Sequence, residues 1–355
     1  MTPPPYLDTP EAVTRVDTAN LHHILREFPD QLQVAEAEFA KVKLPAAWGE
    51  VTRVVFCGMG GSAIGSELTS NLPAVLLRKP LWVIRDYTLP AFVGPETLVV
   101  VTSYSGDTEE ALACFNDSLA RHAPCLVVTS GGGLARRASA AGVPLYQFSY
   151  EAPPRDSLGY LMAPQVAVLE AAGVLEKGEA SLTQAIQTLR QQLTTLVPEV
   201  LGNSNLAKHL AYQFLDHVPL IIGTEVTAGV ARRWKNQVNE HAKAAGFSEV
   251  LPEVDHNTVE GFQFPARFRD DVVVVLLQTE FDHPLVRNRA TYLKEFLAEQ
   301  GVVCETVAAQ GPDLWSQKLS LVALGDWVSY YLALLNHIDP SAIPAITQLK
   351  RRLRA

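Results

Sequence analysis

From Val51 onward the sequence repeats one pattern: a short apolar run, a turn rich in glycine or hydroxyl residues, and a helix-forming stretch. RVVFCGMGGSAIGSEL, LVVVTSYSGDTEEAL and PCLVVTSGGGLARRA show it in full, and LWVIRDY and VPLYQF add further strands. Strands that alternate with helices in this way lie parallel in a sheet covered by those helices. VPLIIGTEVTAGVARRWKNQVNEHAKA and DVVVVLLQTEFDHPLVRNRATYLKEFL repeat the pattern later in the chain. The prediction is therefore two related α/β lobes, the second with diverged loops.

The rest of the chain reads as helical. Residues 21 to 45 carry spaced apolar residues interrupted near Pro29, residues 164 to 215 favour helix with few strand signals, and the end reads as two helices parted at Asp339-Pro340 before a basic tail. The expected divisions are a helical segment over 1–50, a first lobe over 51–163, a helical connection over 164–215, a second lobe over 216–310 and a helical tail over 311–355. With 355 residues and 48% hydrophobic content, the chain can bury a substantial core.

A net charge of −9 opposes general affinity for nucleic acid or anionic membrane, so any anion site must be local. Cys57, Cys114, Cys125 and Cys304 are scattered, which suggests neither a disulfide framework nor a zinc ribbon. MTPPPYLDTPEAV lacks the features of a signal peptide, and no apolar run approaches membrane-spanning length. A reducing cytoplasm is the expected location.

Chemistry concentrates at two turns. In VVVTSYSGDTEEAL, Val99 to Thr102 form a buried strand and Thr108 to Leu112 a first helical turn. The free N–H groups of a helix start carry partial positive charge, and Ser103, Ser105 and Thr108 add donors suited to a phosphate. Helix capping by Thr108 explains the same residues. GMGGSAIG lets the backbone turn sharply beside a ligand, but Gly58-x-Gly60-x-x-Ala63, with Asp86 as a ribose acceptor, also fits a dinucleotide fingerprint. Close helix packing is a further alternative. The hydroxyl cluster favours a phosphosugar gripped by both loops, since a dinucleotide does not need it. TSGGGLARRA supplies a third turn or merely a flexible connection. Nine histidines show no His-x-x-x-His spacing, and His22-His23 reads as a surface pair, so no metal site is expected. Neither Ser62 nor Ser105 lies in Gly-x-Ser-x-Gly.

GMGGS, SYSGDT and TSGG in this order resemble a sugar isomerase (SIS) domain. PRDSLGYL, KNQVNEHAKA, DHNTVEGF and the terminal QLK resemble the bifunctional phosphoglucose/phosphomannose isomerase family. The resemblance implies two SIS subdomains, each a three-layer αβα sandwich, in a homodimer whose active sites borrow a histidine across the interface. It implies interconversion of aldose and ketose 6-phosphates through a cis-enediol, without metal or cofactor. Gly61, Ser62, Ser103, Ser105 and Thr108 would hold the phosphate.

Such a reaction needs a carboxylate that moves a carbon-bound proton between neighbouring carbons. Glu240 matches the family's base, although spacing alone favours a surface glutamate paired with Lys235 or Lys243. Arg155 matches the arginine that stabilises the enediolate, with an ordinary ion pair to Asp156 as its plain alternative. Asp156 departs from the small residues usual there. His256 matches the histidine that assists ring opening, and it would be the residue supplied by the partner subunit. Lys350 matches the lysine that protonates the ring oxygen, with Arg351 and Arg352 close in register. A phosphosugar sensor without turnover and an NAD-dependent enzyme remain as alternatives.

Overall fold

The computed structural model describes residues 5–353. Among them, nine strands form two wholly parallel sheets. The first contains β1 (Arg53–Cys57), β2 (Leu81–Ile84), β3 (Thr97–Ser103), β4 (Cys125–Thr129) and β5 (Leu145–Gln147), in the order β2-β1-β3-β4-β5. Every residue of β3 and β4 is buried, because helices cover both faces of a parallel sheet. This is why those strands read as continuous apolar runs rather than alternating ones.

The second sheet contains β6 (Val218–Gly223), β7 (Phe247–Val250), β8 (Val272–Gln278) and β9 (Val303–Ala308), in the order β7-β6-β8-β9. In each sheet the chain leaves a central strand for one side and returns on the other. That reversal falls between β1 and β3 in the first sheet and between β6 and β8 in the second. The loops at the carboxyl ends of two such strands diverge and leave a crevice for ligands.

The chain divides into two compact units. One holds Glu27–Thr188 and Gly311–Ser316, including the first sheet; the other holds the described residues of Met1–Arg26, Leu189–Gln310 and Gln317–Ala355, including the second. The N-terminal helices thus divide at Glu27, between Leu21–Arg26 and Phe28–Phe39. Pro29 sits in the first turn of the latter helix, where its missing N–H costs no hydrogen bond.

Two helices set the later geometry. Leu158–Ala171 packs against Phe28–Phe39 so closely that a Cβ on Gly159 would lie 2.5 Å from the Cβ of Gln31. Leu314–Leu335, at 22 residues, is long and apolar enough to cross a membrane, exceeding the apolar runs counted from sequence. It is almost wholly buried, as a core helix is. Its Asp326 accepts hydrogen bonds from Arg233 Nε and Nη2 at 3.0 and 2.7 Å, and its Leu321 carbonyl accepts one from Trp234 Nε1 at 2.8 Å. These bonds fix the helix Ala228–His241 on which Glu240 lies.

Candidate functional site

The crevice of the first sheet brings the two sequence-predicted loops together. Ser62 opens the helix Gly60–Ser70 after β1, and Ser103 ends β3. The backbone N–H of Tyr104 donates to Ser62 Oγ at 3.1 Å, which joins the loops through the serine's acceptor and leaves its O–H as a donor. Ser103 Oγ donates to Thr108 Oγ1 at 3.0 Å and accepts from Gly106 N at 3.1 Å. Ser105 is exposed, and its Oγ accepts from Asp107 N at 3.2 Å. Thr108 stands at the N-cap of Glu109–Ala120 with extended backbone, but its side chain makes no capping bond. Capping therefore does not account for this threonine, and the first N–H groups of its helix lack that side chain as a partner.

The third turn is a support for the second loop. Ser130 N and Ser130 Oγ both donate to the Tyr104 carbonyl, at 3.0 and 2.6 Å, and Gly133 N donates to Asp107 Oδ1 at 2.8 Å. A Cβ on Gly106 would lie 1.9 Å from the Gly131 carbonyl oxygen, and one on Gly132 would lie 2.2 Å from that of Ser105. Gly106 and Gly132 have φ of +69° and +70°. The glycines serve close backbone contact, which replaces the flexible-connection reading.

Arg155 belongs to the same cluster. Its turn, Pro154–Asp156, abuts the first loop: a Cβ on Gly61 would lie 2.7 Å from Arg155 N. Arg155 and Asp156 are both buried, with Arg155 Nε 3.4 Å from Asp156 Oδ2. The ion pair weighed as Arg155's plain alternative is thus present, inside the site rather than on the surface.

The other three candidates lie in the other unit. Glu240 is half-buried near the end of Ala228–His241, a helix that buries Arg233, Trp234, Gln237, Val238 and His241 and on which Glu240 lies three and seven positions after Gln237 and Arg233. Lys243 follows with φ +52°, and its Nζ donates to the carbonyls of His241 and Asp339 at 3.0 and 2.6 Å. His256 is exposed at the end of the short turn Glu253–His256. Lys350 is exposed on Pro344–Leu353, beside Arg351 and Arg352.

The crevice of the second sheet is closed by the chain itself. The buried Asp282 carboxylate accepts from the Thr224 hydroxyl after β6 and from Thr279 N after β8, the latter at 3.0 Å. Burial pushes its carboxyl above the ordinary range, partly offset by the Thr224 bond. A protein carboxylate thus sits at the place where the first sheet presents hydroxyls. Sequence reading recognised the diverged loops but missed Asp282, as it missed Tyr104 inside SYSGDT, whose linking groups are mostly backbone. Asp86, the ribose candidate, is exposed and accepts from Tyr87 N at 2.6 Å. Among the described residues, no group of three or more His, Cys, Asp or Glu side chains is placed to hold a metal ion.

Two parallel-sheet lobes with a hydroxyl-lined crevice at the first reversal define an SIS-type protein of the sugar isomerase class. Residues 203–353 match the family described as the bacterial phospho-glucose isomerase C-terminal SIS domain. A bifunctional phosphoglucose/phosphomannose isomerase of Aquifex aeolicus is 36% identical over 85% of this chain and 90% of its own length. One of Caldicellulosiruptor bescii is 32% identical over 92% and 96%. A solved hypothetical protein from Thermus thermophilus shares the fold with a TM-score of 0.75 at 17% identity, over 97% of this chain and 92% of that one. The chain belongs to the bifunctional phosphoglucose/phosphomannose isomerase family.

Proposed function

We propose that the protein interconverts glucose 6-phosphate and mannose 6-phosphate with fructose 6-phosphate through a cis-enediol. The observation that carries this reading is the joined pair of loops, with Ser62, Ser103 and Thr108 clustered and the Arg155 turn packed on Gly61. Family membership supports it. Ser62, Ser103, Ser105, Thr108 and the amides of both helix starts take the phosphate. His256 and Lys350 open the ring, Glu240 carries the proton between C1 and C2, and Arg155 holds the negative charge that grows on the enediolate oxygens. Both epimers are served when the pocket lets the C2–C3 bond rotate.

The working unit is a homodimer in which His256 serves the partner's site. The exposure of His256 supports this, as does the shallow cavity beside its turn, lined by Asp255, Val259, Tyr292 and Phe296, with Tyr292 68% exposed. The cytoplasm is the proposed location, in keeping with four free thiols.

Incubation with each aldose phosphate separately, with fructose 6-phosphate measured, tests the reaction. Activity on one epimer alone removes the bifunctional claim. Glu240→Gln is expected to bind sugar phosphate and lose turnover by about 10²–10⁴-fold. Binding without turnover in the unaltered protein would instead identify a sensor.

A further inference from the structure

Arg155 lies in a short turn, and a turn of three residues does not aim a side chain unless something holds its backbone. Gln31 does so from 125 positions away in sequence. Its amide is buried, and both ends are engaged: Nε2 donates to the Asp156 carbonyl at 2.9 Å and to Tyr150 Oη at 3.2 Å, while Oε1 accepts from Gly159 N at 3.1 Å. One side chain therefore grips the backbone immediately after Arg155 and an early N–H of the helix Leu158–Ala171. The approach is open only because Gly159 lacks a Cβ. Tyr150 is held in turn: its hydroxyl donates to Glu27 Oε2 at 2.7 Å, and its carbonyl accepts from Tyr104 Oη at 2.6 Å. The segment that delivers Arg155 is thereby tied to the phosphate loop at one end and to the helix Phe28–Phe39 at the other.

We propose that Gln31 is a positioning residue for the isomerase reaction, acting through Arg155 by clamping the turn Pro154–Asp156. The inference rests on the reading of Arg155 as the group that stabilises the enediolate. Gln31 touches no substrate. Its loss displaces the guanidinium from oxygens that carry negative charge only at the transition state, so kcat falls while KM for the phosphosugar holds.

A double-mutant cycle on the full-length protein tests this, with Gln31→Met, Arg155→Lys and their combination. Gln31→Met is expected to lower kcat by about tenfold or more with KM changed by less than about twofold. In the Arg155→Lys background the same change is expected to lower kcat by less than about twofold, because residues acting as one unit are not additive. Gln31→Glu keeps the shape and an acceptor for Gly159 N but brings no donor when ionised, and it serves the same cycle if the methionine variant does not fold. An equal effect of the Gln31 change in both backgrounds, or a rise in KM with kcat unchanged, marks a packing role and overturns the inference alone. Unaltered kcat in Arg155→Lys removes the role of Arg155, and the clamp with it.

Discussion

The amide of Tyr104 donates to the hydroxyl oxygen of Ser62 at 3.1 Å, so a residue from the loop after β3 closes a hydrogen bond on the loop after β1. The carbonyl of the same Tyr104 accepts from Ser130, and its phenol donates to Tyr150. Three loops and the segment leading to Arg155 are thus aligned by one residue. On the proposed function, a phosphate entering this cluster meets donors already in place, which lowers the ordering cost of binding.

Ser62→Ala removes the proposed phosphate donor and leaves the Tyr104 N–H without its acceptor. KM for fructose 6-phosphate is expected to rise by about tenfold or more, with a smaller change in kcat. Steady-state kinetics, paired with calorimetric titration of the sugar phosphate, separates the two quantities.

The Arg155–Asp156 pair is buried on both sides. Asp156→Ala removes a counter-charge from a guanidinium shielded from water, a change expected to cost on the order of 3 kcal/mol in stability. The arginine's field at the sugar oxygens is then less neutralised, so an enediolate-mimicking hydroxamate is expected to bind more tightly. Denaturant unfolding and inhibition constants read the two opposed effects.

Gly61→Ala places a methyl group 2.7 Å from Arg155 N and 2.8 Å from the Pro154 carbonyl carbon. Backbone cannot yield as a flexible side chain does, so the turn must shift. A loss in kcat of about 10–100-fold is expected, from displacement of Arg155. A crystal structure of the variant is expected to show that turn moved away from the first loop.

Asp17 gives a test of pH dependence away from the site. Burial works to raise its carboxyl, but bonds from His22 Nδ1, His22 N, Leu21 N and Tyr330 Oη, at 2.7 to 3.0 Å, outweigh it and hold the group below its usual value. A carboxylate lowered by folding adds stability above the pH at which the unfolded chain ionises, and loses it as pH falls through the folded value. Asp17→Asn is expected to be less stable near neutrality and to show a flatter decline in acid, below about pH 4. Thermal melting across that range measures both.

The strands β1, β3, β4, β6 and β8 were legible in the sequence because a strand buried on both faces must be apolar along its length. The loops after β1 and β3 were legible because glycine and hydroxyl residues cluster there for local reasons. Gln31 was not, since a glutamine in a helical stretch looks the same whether it faces water or grips a turn 125 residues later. Asp282 was hidden in the same way: nothing in TEFDHP states that its carboxylate fills the crevice that the second sheet leaves.

By itself, the sequence determined the two parallel-sheet lobes, the glycine- and hydroxyl-rich loops after β1 and β3 and the membership of the family, all of which rest on patterns within a few dozen consecutive positions. Only the tertiary structure decided that the first crevice presents hydroxyls while the second is occupied by its own carboxylate, that the third glycine turn supports the second loop, and that Arg155 is buried with Asp156 beside Gly61. Those are relations between distant segments. Hydrogen bonds and close backbone contacts act over a few ångströms, and the folded chain alone brings such segments within that range.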